Sequence, residues 1–385
     1  MTNSYRSADL FRACAEIDVK AIKHNISEIK KRLPSGVGTV AVLKADAYGH
    51  GAVKLAYALE DSVSAFAVAI ANEAIELYES GIRKPIYILG FTHPSLFADI
   101  LRYGIIPTVF SYEDAEKLSQ TALSMNTRAR INIKVDTGMG RIGFSPDSHS
   151  RDEILKIASL KGISLYGIFS HLSTSDEEDK SYTNKQEKLF SSFVSSVEDS
   201  GVRFEKIHIS NSAAAIDMPS TQPSADLDRC EVRIGIALYG LYPSDAVSRE
   251  VKLKSAMTFK SHIIHIKKVP AGTPIGYGRS FVTTRESVIG TVPVGYADGY
   301  QRRLSNRGKV IVGGKYAPIV GKICMDMFMI DLTDIGEVSL YDEVILMGSD
   351  KDCAVSADQI AAITKTISYD VVCSIGKRVP RVYKE

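Results

Sequence analysis

The chain has few cysteines, and they show no pattern. Its five cysteines are scattered along 385 residues without a CxxC pair, at Cys14, Cys230, Cys324, Cys353 and Cys373. An odd number of cysteines without paired spacing is typical neither of a disulfide framework nor of a zinc site. We therefore expect free thiols in a reducing compartment.

The sequence has no marked excess of basic over acidic residues, or of acidic over basic ones, and it has no long apolar run. There are 47 basic against 45 acidic residues, a net charge of +2. This balance gives no reason to expect nucleic acid or an anionic membrane as a partner. No uncharged apolar run reaches the roughly 18 residues of a membrane span, and the N-terminal segment lacks the apolar core of a secretory signal. These absences predict a soluble, cytoplasmic protein.

The first two thirds of the chain alternate short apolar runs with amphipathic stretches, and its length favours two domains. A clear helical pattern covers residues 181–199, with Gly201 as a stop signal. Eight apolar runs are typical of buried parallel strands, and they lie at 39–43, 65–69, 85–89, 106–110, 130–135, 165–170, 206–210 and 229–233. This order favours a (β/α)₈ barrel of the TIM type, with a doubly wound open sheet as the alternative.

After residue 242 the pattern changes to short strands separated by Gly, Pro and Asp turns. Such segments occur at 256–267, 287–293, 310–312, 319–323 and 343–347, and a helical stretch returns at 356–367. Strands without long intervening helices indicate an antiparallel β domain. The sequence thus predicts a barrel domain at residues 8–246 and a mainly-β domain at residues 247–385.

A lysine, Lys44, lies at the carboxyl end of the first predicted strand, the face on which barrel enzymes build their active sites. A lysine that ends a buried strand is costly unless it is paired or covalently used. A Schiff base with an aldehyde cofactor is such a use, since it needs a partly desolvated amine. The alternative is an ordinary lysine whose amine reaches solvent at the barrel rim.

Other candidates follow later strands at the same face. The loop 135–143 is rich in glycine, which allows a ligand close to the backbone. The remaining candidates are His171 after strand six, Asn211 and Ser212 after strand seven, and Arg233, Gly235 and Ile236 after strand eight. Ser212 with the amides of Gly235 and Ile236 predicts a phosphate site. Taken singly, His171 also fits a structural histidine, and Ser212 a helix cap.

A series of motifs makes the interpretation specific. The chain contains, in order, AVLKADAYGHG, DTGMGRIGF, SNSAA, RIGIALYG, GYG, GYADGY, VGKICMDM and SYDVVCSIGKRVPR. Over nearly its full length it resembles the alanine racemases. The resemblance implies a barrel followed by a β domain, pyridoxal 5′-phosphate as cofactor, and a head-to-tail homodimer with shared active sites. The implied reaction interconverts L- and D-alanine and supplies D-alanine for peptidoglycan.

The resemblance also assigns roles to individual residues. Lys44 would hold the cofactor as an aldimine and act as the base for the D-isomer, while Tyr277 from the second subunit would act on the L-isomer. The implied phosphate ligands are Tyr48, Ser212, Gly235, Ile236 and Tyr369, with Asn211 also at the cofactor. Arg141 would bind the phenolic oxygen of the cofactor and the substrate carboxylate, aided by the backbone amide of Met325 from the partner.

Further assignments concern the surroundings of the reacting groups. His171 would lie behind the tyrosine, and Lys134 stands where the family often carries a carbamylated lysine. Asp176 and Arg302 resemble residues of the entrance corridor. Lys322 departs from the family pattern, in which arginine is common, and this change puts substrate entry or range in doubt.

Arg233 helps to separate the rival functions. An arginine on the pyridine nitrogen disfavours protonation of that nitrogen and so weakens the electron sink. A barrel-plus-β amino-acid decarboxylase would need an acidic partner there. A non-catalytic pyridoxal-phosphate carrier resembles the barrel alone and would need neither Tyr277 nor Met325. A racemase acting on serine stays open, because one methyl or hydroxyl changes binding by only about 1–3 kcal/mol.

Overall fold

The computed structural model describes residues 12–220 and 223–385. The chain divides into two compact units: residues 21–47 with 52–255, here called the barrel unit, and residues 12–20, 48–51 and 256–385, here called the sheet unit. The first strand, β1 (Ala13–Asp18), pairs with residues 257–261 and with residues 381–384 near the C-terminus. The sequence analysis had included this segment in the barrel domain. Pairing between distant segments leaves no mark on local periodicity, so the pattern gave no signal for it.

The barrel unit contains eight parallel strands, as predicted. Helix α1 (Val19–Lys30) precedes them, and the strands are β2 (Gly38–Val42), β3 (Ala65–Val68), β4 (Ile86–Ile88), β5 (Thr108–Val109), β6 (Ala129–Lys134), β7 (Ile163–Phe169), β8 (Lys206–His208) and β9 (Glu231–Ile234). They form two parallel runs, β4-β3-β2-β9 and β5-β6-β7-β8. Bridges between Tyr87 and Ile106 and between Ile207 and Cys230 join the runs. The eight strands therefore close into a barrel, which confirms the predicted fold and rules out the open sheet.

Helices follow the strands and cover the barrel with their apolar faces. They are α2 (Lys44–Gly49), α3 (Ala52–Leu59), α4 (Ala71–Glu79), α5 (Phe97–Arg102), α6 (Tyr112–Ser124), α7 (Ser148–Ser159), α8 (Ser181–Glu198) and α9 (Ser212–Asp217). Helix α8 matches the predicted segment to within one residue. Its Phe190, Phe193 and Val197 are buried at helical spacing, so burial of this face explains why the segment is a helix.

The sheet unit is built on one large sheet with short additions. Its strands are β1 with β10 (Met257–His262), β11 (His265–Val269), β12 (Pro274–Ile275), β13 (Phe281–Val282), β14 (Ser287–Val292), β15 (Lys309–Val312), β16 (Lys315–Val320), β17 (Phe328–Asp331), β18 (Glu343–Asp350), β19 (Cys353–Val355) and β20 (Arg381–Lys384). Helices α10 (Ala357–Thr364) and α11 (Ser368–Ser374) lie near its C-terminus. In the large sheet the order is β11-β14-β17-β16-β15-β18-β10-β1-β20. The pairs from β11 to β1 are antiparallel, as predicted.

One strand of this sheet begins earlier than the sequence indicated. The predicted strand started at residue 319, whereas β16 begins at Lys315 and runs through Pro318. Proline has no N–H and argues against a strand in a sequence pattern. Pro318 and the two residues that begin β16 are exposed, so the apolar signal was confined to the end of the strand.

Two expected absences concern cysteines and membrane spans. All five cysteines are free thiols, which confirms the expectation from their spacing. Within residues 12–220 and 223–385, no helix is long and apolar enough to cross a membrane. Over the same residues, no cluster of three or more His, Cys, Asp or Glu side chains is arranged to hold a metal ion.

Candidate active site

Lys44 lies where the sequence predicted, at the carboxyl end of β2, and begins helix α2. Its side chain is half-buried. The four residues that follow have left-handed backbone angles, with φ between 52 and 53° from Ala45 to Tyr48. For L-amino acids such a conformation costs about 1–2 kcal/mol per residue. Strain of this kind persists only where surrounding contacts enforce it, and it is concentrated at functional sites.

Two carboxylates hold the strained segment in place. Glu73 accepts hydrogen bonds from the backbone N–H of Ala45 at 2.6 Å and of Ala69 at 2.8 Å. Asp46 accepts one from the N–H of Ala52 at 2.7 Å. Glu73 thereby joins the segment after Lys44 to the end of β3. The contacts fix the backbone that carries the lysine, which a reactive amine requires.

Arg233, on β9, is buried among acceptors at the same end of the barrel. Its Nη1 lies 2.6 Å from His208 Nδ1, and its Nη2 lies 3.2 Å from His171 Nδ1. Nη2 also donates to the carbonyls of Ser170 at 2.9 Å and Ile209 at 3.0 Å. Arginine has no acceptor, so both histidines accept at Nδ1 and are neutral. Burial followed by the charge of Arg233 lowers the pKa of each imidazole well below its usual value.

The barrel end carries a marked excess of positive charge. Lys134 is buried, its Nζ donates to the carbonyl of Val135 at 2.6 Å, and burial followed by Arg233 lowers its pKa to about 8. Besides burial, four cations depress the pKa of His171: Arg233, Arg141, Lys134 and Lys44. Cations so close together repel one another, and an anionic ligand would relieve that repulsion. This end of the barrel is therefore suited to a phosphate or a carboxylate.

Asp136 organises the loop that carries Arg141. Its carboxylate accepts from the N–H groups of Gly138 at 2.9 Å, Gly140 at 3.1 Å and Arg141 at 3.0 Å. Burial alone would raise the pKa of Asp136, but these bonds and the charge of Lys134 hold it below its usual value. Gly143 has φ of +130°, and a Cβ there would lie 2.6 Å from Asp136 N. This glycine is thus required by the fold of the loop itself, whereas the sequence analysis had explained the glycines by a ligand.

The predicted phosphate site lies at the ends of β8 and β9. Asn211 caps α9, since its Oδ1 accepts from Ala213 N at 3.1 Å and Ala214 N at 3.2 Å. The alternative reading of Ser212 as the cap is therefore wrong. Ser212 Oγ instead accepts from Gly235 N at 2.9 Å, and Ile236 begins a 3₁₀ helix, whose first N–H groups have no partner within the helix. A phosphate here would receive the Ser212 hydroxyl and the Ile236 amide, and a role for Gly235 stays a prediction.

The other predicted residues lie in the sheet unit. Tyr48 and Tyr369 have ring centroids 6.2 Å apart with planes inclined by 53°, and burial raises the pKa of Tyr48 above its usual value. Their predicted contact with the cofactor phosphate stays a prediction. Tyr277 and Met325 are exposed, with 69% and 52% of their surfaces accessible. The roles of these two residues, which depend on a second subunit, likewise stay predictions.

The three residues predicted to line an entrance corridor are exposed or half-buried, and that role stays a prediction. Asp176 and Lys322 are half-buried, and Arg302 is exposed. A Cβ at Gly278 would lie 3.3 Å from Lys322 Nζ. The ammonium of Lys322 is therefore close to the backbone immediately after Tyr277, so the departure from the family pattern lies beside a proposed catalytic residue.

The sequence analysis did not single out His208, which the structure places against Arg233. The ring of His208 stacks between Phe169, at 4.9 Å, and Tyr87, at 5.7 Å. It lies on a buried parallel strand whose two faces are both covered, so periodicity does not tell which side chains point inward. The presence of Arg233 on the neighbouring strand was the only available signal, because a buried arginine requires acceptors.

Comparison with known proteins covers both units. The models of the alanine racemase N-terminal and C-terminal domains match residues 17–243 and 256–383. Alanine racemase 1 of Clostridium acetobutylicum is 49% identical over 371 residues, 96% of this chain and 94% of that protein. The structure of Clostridium difficile alanine racemase aligns with a TM-score of 0.92 at 41% identity, covering 97% of this chain and 96% of the other. That of Bacillus anthracis alanine racemase with bound L-Ala-P aligns with a TM-score of 0.90 at 35% identity, covering 97% and 95%. The resemblance seen in the motifs is confirmed: the chain belongs to the alanine racemase family.

Proposed function

We propose that this protein is a pyridoxal 5′-phosphate-dependent alanine racemase that interconverts L- and D-alanine in the cytoplasm and supplies D-alanine for peptidoglycan. The relatives and solved structures named above are alanine racemases. The observation that carries the proposal is the group of four cations around His171, one of which, Lys44, follows β2 and begins α2. An aldehyde cofactor with a phosphate and a phenolate needs both a reactive amine and positive charge.

The donors at the barrel end fit this cofactor. Lys44 would supply the amine, Ser212 and Ile236 would supply an O–H and an N–H to the phosphate, and Arg141 would bind the phenolic oxygen. Both Nη atoms of Arg233 already have acceptors. In the described part of the chain its Nε–H makes no hydrogen bond, so this group would be the one to hold the pyridine nitrogen. When bound, the cofactor withdraws electrons from the α-carbon of the amino acid and makes its hydrogen acidic.

Racemisation requires a proton to leave one face of the α-carbon and another to arrive on the opposite face. Lys44 Nζ holds and returns the proton on the side of the D-isomer. The hydroxyl of Tyr277 of the partner subunit does the same on the side of the L-isomer. Arg141 orients the substrate by its carboxylate, and His171 lies behind the tyrosine. Because its Nδ1 accepts from Arg233, the neutral His171 carries its proton on Nε2 and would donate from there to the tyrosine oxygen.

Arg233 separates this function from decarboxylation. A guanidinium does not accept a proton and would disfavour a second positive charge on a pyridine nitrogen bound next to it. An arginine at that place would therefore favour return of the proton to the α-carbon over side reactions. A decarboxylase of this architecture needs a carboxylate at that place, and none of the groups bonded to Arg233 in the described structure is an acid.

The homodimer with shared active sites is part of the proposal. Tyr277 and Met325 are exposed on the sheet unit. Apolar side chains are also exposed on loops that follow barrel strands, among them Ile70, Phe91 and Met139. Exposed apolar side chains around a polar site are typical of a surface that another chain covers. A head-to-tail arrangement would place Tyr277 of the partner subunit over this end of the barrel.

Carbamylation of Lys134 completes the proposed site. With a pKa of about 8, its neutral fraction at neutral pH is roughly 300-fold larger than that of an ordinary lysine. The ammonium first loses one proton to solvent. The neutral amine then attacks carbon dioxide, an N–C bond forms as one C–O π bond breaks, and a second proton leaves to solvent. The side chain changes from a cation into an anion. That anion would pair with Arg141, whose charge acts on Lys134, and would hold its guanidinium in position.

Two measurements on the purified protein test the function. Absorbance between 300 and 500 nm before and after borohydride detects a Schiff base, and polarimetry with L-alanine and with L-serine follows racemisation. We expect a band that borohydride removes, with Lys44→Ala lacking both band and activity and Lys161→Ala, an exposed lysine, retaining both. A band without racemisation would favour a carrier or a decarboxylase. Absence of a band after addition of pyridoxal 5′-phosphate would contradict the proposal.

A further inference from the structure

The amide side chain of Gln186 is fully buried beneath the loops of the candidate active site. It lies on the second turn of α8. Its Oε1 accepts from Ser173 N at 2.9 Å and Ser173 Oγ at 3.1 Å. Its Nε2 donates to the His171 carbonyl at 3.2 Å and to Thr137 Oγ1 at 3.4 Å. This one side chain therefore satisfies four groups on two different loops.

The two loops carry the residues proposed to contact the substrate and the tyrosine. Thr137 belongs to the loop of Arg141, and His171 lies in the loop after β7. The loops also meet directly, since Thr137 Oγ1 lies 2.8 Å from Ser170 Oγ. Ser170 in turn accepts from Arg233 through its carbonyl. A shift of Gln186 would therefore be transmitted to the imidazole and to the arginine loop together.

The orientation of the Gln186 amide is fixed by its partners. A backbone N–H can only donate, so the group that faces Ser173 N is the oxygen. A carbonyl can only accept, so the group that faces His171 O is the nitrogen. The amide therefore has a single orientation, with its oxygen toward Ser173 and its nitrogen toward His171. A glutamate at this position would place a second oxygen, which is an acceptor, against the His171 carbonyl.

We propose that Gln186 is a positioning residue for the reaction, which sets the places of His171 and of the Arg141 loop relative to each other. The inference rests on the proposed racemase function. Neighbouring side chains of α8 each contact only one of the two loops: Thr183 Oγ1 lies 3.0 Å from Thr174 Oγ1, and Tyr182 Oη donates to Gly138 O at 3.2 Å. Neither spans from the His171 backbone to the Arg141 loop as Gln186 does.

The exchange Gln186→Glu tests this role because it keeps the shape and the acceptor but removes the donors. An ionised carboxylate repels the His171 carbonyl, whereas the protonated acid restores one hydrogen bond. Displacement of reacting groups by a fraction of an ångström to 1 Å lowers turnover by up to about 100-fold. We expect kcat/KM for alanine to fall about 10-fold or more at pH 8 and to recover partly, relative to the wild-type protein, as the pH is lowered toward 6.

Two control variants separate positioning from folding. Gln120→Glu makes the same exchange at an exposed site on α6, and we expect kcat/KM within about 2-fold of wild type. Thr183→Val removes a buried hydrogen bond of the same helix, and we expect a lower Tm with kcat/KM retained at 25 °C. If Thr183→Val and Gln186→Glu lost activity to the same extent at equal Tm, Gln186 would act only through stability and the proposal would be overturned.

A second variant covers the case in which Gln186→Glu does not fold. Thr137→Val removes the hydroxyl that receives the Gln186 amide on the Arg141 loop, and we expect a rise in KM for alanine of about 5-fold or more with a smaller change in kcat. Unchanged KM in folded Thr137→Val, or a wild-type pH profile in folded Gln186→Glu, would contradict the inference. A wild-type protein that does not racemise alanine would instead refute the proposed function itself.

Discussion

The guanidinium of Arg233 and the imidazole of His208 face each other across 2.6 Å between Nη1 and Nδ1 in the interior of the barrel. Since arginine only donates, the proton of the neutral imidazole must lie on Nε2. Burial, then the charges of Arg233 and Lys134, lower the pKa of His208, so the ring stays neutral. His208 thus supplies a hydrogen-bond acceptor to Arg233 without neutralising its charge. The positive charge of Arg233 therefore stays available to an anionic ligand.

Removing that acceptor should damage both stability and activity. We expect His208→Ala to lower the free energy of unfolding by about 2–4 kcal/mol, because it leaves a buried donor unpaired and empties the space between Phe169 and Tyr87. His208→Asn places an amide oxygen near the position of Nδ1 and should retain more racemase activity than the alanine variant. Urea unfolding and kcat/KM for both variants are the measurements. Equal activity of the two variants would show that the acceptor is unimportant.

Mixing two inactive variants tests whether the active sites are shared. If Lys44 and Tyr277 of the partner subunit form one site, a heterodimer of Lys44→Ala and Tyr277→Phe contains one intact site and one doubly altered site. Random exchange should then restore about a quarter of the wild-type activity. If each site used residues of a single chain, every site in the mixture would be defective and no activity would return. The unmixed variants, treated in the same way, are the controls.

Much of the barrel and of its site followed from the sequence because the signals are local. Apolar runs of strand length and the residues directly after them place Lys44, His171, Ser212 and Arg233 at one end of the barrel without tertiary information. Asn211 was named as a candidate, but its capping of α9 depends on which of two adjacent polar residues takes an extended backbone, and this was visible only in the structure.

Other features could not be read from the sequence. The left-handed turn after Lys44 uses alanine, aspartate and tyrosine, which rarely adopt positive φ, so propensity predicts the opposite hand. It exists because contacts such as those of Glu73, from a distant helix, enforce it. Gln186 likewise reads as an ordinary polar residue of an amphipathic helix, since only the folded chain brings the two loops to it.

The left-handed segment predicts opposite effects for one substitution at two places. Ala45 is exposed and has φ of 53°, so Ala45→Gly should relieve strain and raise the free energy of unfolding by about 1 kcal/mol. Ala362 is exposed in the right-handed helix α10, so Ala362→Gly should lower it by about 0.5–1 kcal/mol. Thermal or urea unfolding of both variants measures the signs. Destabilisation by Ala45→Gly would show that the turn is relaxed.

Carbamylation of Lys134 predicts a chemical signal at a single residue. Protein incubated with ¹³C-bicarbonate at pH 8 should show a carbamate carbonyl resonance that Lys134→Met lacks. The exposed lysine variant Lys161→Met is the control and should retain the signal. Loss of the carbamate should also raise KM for alanine, because Arg141 loses its anionic partner. A wild-type spectrum without the resonance would remove the carbamate from the proposed site and leave Lys134 as a buried amine.

Glu187 predicts a pH dependence of stability that is independent of catalysis. Its side chain is 8% exposed, and its Oε1 has no hydrogen-bond partner in the part of the chain that the structure describes. Burial raises its pKa from an ordinary value of 4.5 to about 7. The folded state therefore binds the proton more tightly than the unfolded state, so the contribution to stability is present at low pH and is lost as the pH rises from about 4.5 to about 7.

Replacing the carboxyl group by an amide removes this loss. We expect Glu187→Gln to match the wild-type protein near pH 5 and to exceed its free energy of unfolding by about 1–2 kcal/mol at pH 8, where the wild-type carboxylate is ionised in a buried place. Urea unfolding at both pH values measures the difference, with Glu178→Gln, an exposed glutamate just before α8, as the control that should change little. Greater stability of the wild-type protein than of Glu187→Gln at pH 8 would contradict the prediction, because it would mean that a compensating partner stabilises the ionised carboxylate.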